Sequence, residues 1–110
     1  MSNSFSDRYI ETALWTEYAE VGDRLLAAEA RRRMVADCDR FRRANGALLR
    51  RAAALGEDDV QAGHDFWLSR NRRGSGFLDR GLGKVGDALH AAAKAWGECD
   101  LYIGDEVHVA

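Results

Sequence analysis

The chain contains no proline in 110 residues, and this absence constrains its fold more than any other feature. Because proline is the strongest helix breaker, helices in this chain must end at glycine or at turn-forming residues instead. Apolar residues recur every three or four positions over most of the sequence, which is the spacing of amphipathic helices. The pattern therefore predicts a mainly helical protein.

Apolar spacing and capping residues place the helices. Four are predicted, at residues 4–19, 24–55, 58–71 and 84–96. Ser4 is the expected N-cap of the first helix. Asn45-Gly46 falls inside the long second helix, so we expect either a bend or two helices there. Residues 72–76 are predicted to form a loop whose far end is anchored by Phe77-Leu78.

The same periodicity predicts which helix faces are buried. The first helix turns Ile10, Leu14 and Tyr18 to one side, with Ala13 and Trp15 close to that face. The second buries a seam of Met34, Cys38, Phe41, Asn45, Leu48, Ala52 and Leu55. The third carries Val60, His64, Trp67 and Leu68 on one side. These faces suit one small core, so we expect a single domain over residues 1–110.

The last part of the chain changes character. Leu101-Tyr102-Ile103 and Val107-His108-Val109 are rich in β-branched and aromatic residues, with Gly104 at the start of the turn between them. An isolated hairpin is marginally stable in water, so this one is expected to pack on the helices. The predicted fold class is therefore mainly α (α+β), with four or five helices in one core and a C-terminal two-stranded β-hairpin.

Composition restricts where the chain is expected to work. No stretch approaches the roughly 18 apolar residues of a transmembrane helix, and Met1-Ser2-Asn3-Ser4 does not open a secretory signal. Without such a signal, the two cysteines, Cys38 and Cys99, are expected to be reduced thiols. We therefore expect a cytoplasmic protein with no membrane partner.

Charge is segregated along the chain, although 16 basic and 18 acidic residues leave a net charge of only −2. Residues 24–55 hold nine arginines against three acids, whereas residues 97–110 hold four acids and no Lys or Arg. Residues 1–23 are also acidic. In one interpretation the blocks neutralise one another across the fold. In the other, the acidic tail and first helix form a negative surface that faces a basic partner.

No arrangement of residues predicts a cofactor or a metal site. His64, His90 and His108 lie on three separate elements and have no zinc-like spacing with the cysteines. Adjacent helix residues point about 100° apart, so His64 and Asp65 are not expected to act together. An enzyme built on His64, Asp65 and Asp79 is the weakest hypothesis, because no nucleophile accompanies them.

Arginines supply the alternative of nucleic-acid binding. Gly74-Ser75-Gly76, preceded by Arg72-Arg73, lacks the Gly-Lys-Ser/Thr ending and the preceding strand of a phosphate-binding loop. The nine arginines of residues 24–55 surround the helix, whereas a groove-reading helix concentrates them on one face. The residues of this alternative site are Arg70, Arg72, Arg73 and Arg80.

One segment resembles a known family. Residues 63–71 read GHDFWLSRN, residues 74–81 read GSGFLDRG, and residues 100–105 read DLYIGD. This pattern is similar to that of a family of small proteins of phages and mobile elements, in which Gly-His and Trp stand where this chain has Arg72-Arg73 and Leu78. A short, acidic member of that family looks like an anti-CRISPR protein, of the group that acts on type I-C systems.

The resemblance implies a stoichiometric inhibitor that binds a crRNA-guided surveillance complex in the bacterial host and blocks its DNA site. Such a complex presents basic channels to DNA, which clustered carboxylates can occupy as a charge mimic. On this hypothesis the protein is a monomer without a cofactor, and Tyr102 or Trp15 is its aromatic anchor. The partner-binding residues are Glu98, Asp100, Tyr102, Asp105 and Glu106 in the tail, with Glu11, Glu17 and Glu20 in support. The alternative is a phage accessory protein that binds nucleic acid through the arginines.

Overall fold

In the part of the chain that the structure describes, five α-helices and a C-terminal β-hairpin form the fold, which confirms the predicted mainly α class. The computed structural model describes residues 4–18 and 26–110. The helices are α1 (Ser4–Glu17), α2 (Ala28–Ala44), α3 (Gly46–Ala54), α4 (Asp59–Asn71) and α5 (Lys84–Ala95). A short 3-10 helix (Gly76–Arg80) lies between α4 and α5, and the hairpin consists of β1 (Leu101–Ile103) and β2 (Val107–Val109). Within the described ranges, no helix has the length and apolar character needed to cross a membrane.

The predicted long helix is divided in two at Asn45. The backbone there leaves helical geometry, with φ −120° and ψ 24°, and Nδ2 of Asn45 donates a hydrogen bond to the carbonyl of Phe41 at 2.9 Å. Asparagine side chains compete for backbone partners in this way and so favour helix ends. The division expected at Asn45-Gly46 is therefore confirmed.

Several boundaries differ from the prediction. Ser4 is the first residue of α1 and not its cap, and α1 ends at Glu17. Arg72 closes α4 with a left-handed backbone, φ 55°, a conformation that glycine adopts more readily. The segment after the loop forms the 3-10 helix, where only an anchoring pair was expected. Residues 19–25, which hold the expected helix break, lie outside the described residues.

The core is built where α1 crosses α4. Gly63 of α4 permits this close approach, because a Cβ at that position would overlap the carbonyl group of Phe5 on α1. The buried rings of Phe41 and Phe66 stack behind this contact, with centroids 4.0 Å apart. Close helix packing at a glycine thus positions the aromatic centre of the protein.

Some predicted core residues are exposed. Leu55 and Val60 are 59% and 46% exposed. The predicted face of α4 is right in part: Trp67 is fully buried and His64 and Leu68 are partly buried, but Val60 is exposed. Because α4 contacts α1, α5 and the 3-10 helix, most of its circumference is covered. Its buried residues are Ala62, Gly63, Asp65, Phe66, Trp67, Ser69, Arg70 and Asn71.

The hairpin packs on the helices, as its marginal independent stability requires. Val107 is fully buried, and its carbonyl accepts a hydrogen bond from the backbone N–H of Ala27 at 2.9 Å. Leu26 forms an isolated parallel bridge with Val107, just before α2 begins. The chain leading into α2 therefore runs along the β2 side of the hairpin.

Candidate partner-binding surface

The outer face of the hairpin carries an aromatic side chain between two acids. Side chains alternate across a strand pair, so Asp100, Tyr102, Glu106 and His108 lie on the same face. Tyr102 is paired with His108 in the register, and their rings stack with centroids 5.1 Å apart. Tyr102 remains 50% exposed, and Asp100 and Glu106 are exposed on either side of it.

The acids of the tail are available to a partner. Glu98, Asp100, Asp105 and Glu106 are all exposed, and none forms an ion pair with a described residue. We call these four acids together with Tyr102 the acidic hairpin surface. His108, which the prediction did not include, donates from Nδ1 to Glu29 of α2 at 3.1 Å and so braces the hairpin against that helix.

The acids of α1 are placed differently from those of the tail. Glu11 forms an ion pair with Arg8 at 3.0 Å, and Glu17 forms one with Arg73 at 3.0 Å. Glu20 lies outside the described residues. The hydroxyl of Tyr18 donates to the carbonyl of Leu101 at 3.3 Å, so the end of α1 adjoins the hairpin. Internal neutralisation thus describes Glu11 and Glu17, whereas the four acids of the tail form no ion pair with a described residue.

A cleft beside α1 is a second surface feature, and it was not predicted. It encloses about 800 Å³ and is lined by residues of α1 together with Arg31 of α2 and His64 of α4. The exposed ring of Trp15, expected as an anchor, lies in its wall and not on the hairpin. The aromatic contributed by the acidic hairpin surface is therefore Tyr102.

The residues of the enzyme hypothesis have different surroundings and partners. Nδ1 of His64 lies 2.8 Å from Oγ1 of Thr12, and burial lowers the pKa of His64. Asp65 is fully buried and accepts hydrogen bonds of 3.0–3.2 Å from Arg80. Asp79 is exposed on the 3-10 helix. Among residues 4–18 and 26–110, no group of three or more His, Cys, Asp or Glu side chains is arranged to hold a metal ion.

The arginines of the alternative site are mostly engaged within the fold. Arg70 is only 8% exposed, and its guanidinium donates to the carbonyl of Gly97, the hydroxyl of Tyr9 and the carboxylate of Asp37 at 2.7–3.0 Å. It points away from solvent, so its expected place on a nucleic-acid surface is wrong. Arg73 forms an ion pair with Glu17, and Arg80 forms one with Asp65. Arg72 alone of the four is exposed without an ion pair to a described residue.

The segment that carries the family resemblance has structural roles here. Asn71 donates from Nδ2 to the carbonyl of Trp67 at 3.0 Å and accepts from the N–H of Cys99 at 2.7 Å, which ties α4 to the tail. Gly76, with φ 51°, approaches α4 so closely that a Cβ would overlap Oγ of Ser69. Together with Gly63, Asp65 and Arg70, these residues hold α4 against its neighbours.

Comparison with known proteins adds no assignment to this surface. No protein-family model, curated protein or solved structure matches the chain. The candidate surface therefore rests on its own geometry: four exposed acids and a half-exposed tyrosine on a hairpin that is fastened to α1, α2 and α4.

Proposed function

We propose that this protein is a phage-type anti-CRISPR inhibitor that binds a type I surveillance complex, of subtype I-C, and blocks its binding of target DNA. It acts stoichiometrically and not as an enzyme. The acidic hairpin surface occupies a basic, DNA-binding channel of one protein subunit. The observation that carries the proposal is a contrast between two groups of acids: the four of the tail form no ion pair with a described residue, whereas Glu11 and Glu17 of α1 do.

Charge and shape both favour a basic protein partner. Asp100 and Glu106 lie near opposite ends of the hairpin, about 13 Å apart at the strand rise per residue, with Tyr102 between them. Exposed carboxylates steer a basic partner into register, and an aromatic side chain between them supplies buried contact area. Tyr102 already stacks on His108, so little side-chain freedom is lost on binding.

The choice of partner rests on the family resemblance. The matching segment builds the scaffold around α4, so shared scaffold residues are compatible with a function carried by the tail. A DNA-binding channel is rich in Lys and Arg because it must neutralise phosphates. Clustered Asp and Glu side chains on a small protein can occupy the same positive potential.

Charge reversal tests the proposal. The variant D100K/E106K reverses the two acids beside Tyr102, E11K/E17K reverses the acids of α1, and D79K/D87K reverses two exposed acids elsewhere. All three change the net charge equally. Each protein is mixed with a purified type I-C surveillance complex, and co-elution on size exclusion and target-DNA binding by the complex are measured. Circular dichroism verifies that each variant is folded.

We expect the wild-type protein, E11K/E17K and D79K/D87K to co-elute with the complex and to inhibit DNA binding. D100K/E106K should lose at least about tenfold in affinity, because two attractive contacts become repulsive. Retained inhibition by D100K/E106K, or absence of co-elution by the wild-type protein, contradicts the proposal. If the wild-type protein instead co-elutes with duplex DNA alone, the nucleic-acid hypothesis replaces it, with Arg72 as its first residue to test.

A further inference from the structure

The hydrogen bonds of the hairpin show which backbone groups face outward. The N–H of Ala110 donates to the carbonyl of Asp100 at 2.9 Å, and the N–H of Gly104 donates to that of Glu106 at 2.8 Å. Hydrogen-bonded and non-hydrogen-bonded pairs alternate along an antiparallel ladder. The pairs Leu101–Val109 and Ile103–Val107 are therefore of the non-hydrogen-bonded kind, and their N–H and C=O groups point away from the partner strand.

Other contacts agree with this assignment. On β2, the outward carbonyl of Val107 accepts from Ala27, and that of Val109 accepts from Arg33 at 3.4 Å. On β1, the outward carbonyl of Leu101 accepts from the hydroxyl of Tyr18. The edge of β2 is thus covered by the chain around the start of α2. On β1, the N–H and C=O of Ile103 and the N–H of Leu101 have no partner among the described residues.

We propose that the outer edge of β1 binds an extended, Lys- or Arg-bearing segment of the partner protein, which adds to the hairpin as a further strand. The inference rests on the proposed function, since it uses the same surface and specifies how the partner is held. Three outward backbone groups at Leu101 and Ile103 are available for main-chain hydrogen bonds, the usual source of affinity in strand addition. Strand addition would place the side chains of the new segment beside Tyr102 and Ile103.

The charges around this edge select the occupant. Glu98 and Asp100 precede β1, and Asp105 and Glu106 follow it, so acids lie at both ends of the edge. A second copy of this chain, paired edge to edge, would bring its own four acids against these four, and like charges directly opposite destabilise a strand pair. A basic segment meets opposite charge at both ends. Ile103, 52% exposed on the other face of the strand, offers it an apolar contact.

Substitution of Ile103 separates backbone from side-chain binding. Ile103→Pro removes the outward N–H, and an edge strand tolerates proline where that N–H faces solvent. Ile103→Ala shortens the same side chain but keeps the N–H. The probe is a short peptide that alternates lysine and threonine, titrated against both variants and the wild-type protein. A peptide that alternates glutamate and threonine is the charge control.

We expect the lysine peptide to bind the wild-type protein and the alanine variant, and the proline variant to lose about tenfold in affinity. The glutamate peptide should bind the wild-type protein weakly. Its affinity should be no higher than that of the lysine peptide for the proline variant. Should the proline variant fold poorly, amide hydrogen exchange of the wild-type protein replaces it. Added lysine peptide must then slow exchange at Ile103 and Leu101 more than at Tyr102, whose N–H already faces β2.

Equal binding of the lysine peptide by the proline and alanine variants, or unchanged exchange at Ile103, overturns strand addition. These outcomes are separate from those of the surveillance complex. If D100K/E106K loses binding to the surveillance complex but Ile103→Pro binds it as the wild-type protein does, the inhibitor function stands and strand addition is wrong. If the protein binds the lysine peptide but not the surveillance complex, the β1 edge is a binding site and the proposed function is wrong.

Discussion

Glu57 is an ionisable residue whose surroundings work against its charge. Its side chain is almost fully buried between α3 and α4, and both carboxylate oxygens lack a hydrogen-bond partner among the described residues. Nε of Arg80 lies 3.9 Å away but is committed to Asp65 by shorter contacts. Burial, and then the neighbouring carboxylate of Asp65, raise the pKa of Glu57 to about 8, with Arg80 opposing. Its surroundings therefore favour the protonated carboxyl in the folded protein.

This raised pKa makes stability depend on pH. Below about pH 4.5, Glu57 is protonated in both folded and unfolded states. As the pH rises from there to about 8, Glu57 ionises in the unfolded chain but keeps its proton in the folded protein. The free energy of unfolding therefore falls over this range of pH. We expect Glu57→Gln to remove that dependence, which is worth on the order of 2–4 kcal/mol. Urea unfolding of both proteins at pH 5 and pH 8.5 measures it.

The control for this prediction is Glu98→Gln, which removes an exposed acid instead. It should keep the pH dependence of the wild-type protein, because it leaves the buried carboxyl of Glu57 in place. An identical change of unfolding free energy with pH in Glu57→Gln and in the wild-type protein would show that Glu57 ionises normally. The burial of its carboxyl would then have no energetic consequence.

At the scale of elements, α4 organises the protein. It contacts α1, α5 and the 3-10 helix, and its buried polar residues hold Arg80, Cys99 and Gly97 in place. Periodicity predicted that this helix exists and where it begins and ends. It could not predict the buried face, because a helix covered on several sides buries polar residues as well as apolar ones. Asp65 and Arg70 are buried since each meets an opposite charge from elsewhere in the chain.

Two glycine substitutions test how closely α1 and α4 approach. Gly63→Ala places a Cβ against the backbone of Phe5, which cannot move aside as a flexible side chain can. We expect it to lower the unfolding free energy by about 1–3 kcal/mol, the usual effect of overpacking. Gly46→Ala is the matched control, since its Cβ would meet only the end of the Arg50 side chain.

Gly46→Ala should be neutral or slightly stabilising, because alanine favours helices by up to about 1 kcal/mol over glycine. Thermal or urea unfolding of the two variants beside the wild-type protein gives the comparison. Equal stability of both variants would mean that α1 and α4 have room for a methyl group. The close approach assigned to Gly63 would then be wrong.

At the scale of the whole molecule, charge is arranged in distinct regions although the net charge is small. The start of α2 contacts the hairpin through Glu29 and Arg33. Arg43 lies ten residues further along the same helix, about 15 Å away at the rise of an α-helix. The acidic hairpin surface and the arginines around the α2–α3 junction therefore occupy different parts of the protein. Under the proposed function, a basic partner would contact the acidic hairpin surface without contacting these arginines.

Binding through the acidic hairpin surface should weaken with salt. Raising the ionic strength from about 0.1 M to about 0.5 M shortens the Debye screening length from about 10 Å to about 4 Å. This is well below the roughly 13 Å between Asp100 and Glu106, so we expect about a tenfold loss of affinity for the surveillance complex. D100K/E106K, measured in parallel by calorimetry, should show little further loss. Salt-independent binding by the wild-type protein would indicate an apolar contact instead, with Tyr102 and Ile103 at its centre.

The sequence by itself determined the helices, the division at Asn45, the hairpin and the acidic character of the tail. Each of these depends on residue spacing or composition over a short stretch of chain, where local backbone preferences and periodic burial act.

Only the tertiary structure decided which charges are neutralised. Glu17 meets Arg73 across 56 residues of sequence, and Arg70 meets Asp37 across 33. The acids of the tail meet no described cation and stay exposed. Ion pairing depends on which distant residues the packing of α1, α2 and α4 brings within a few ångströms, and one-dimensional charge blocks do not contain that information. The surface left unpaired is therefore a property of the folded molecule.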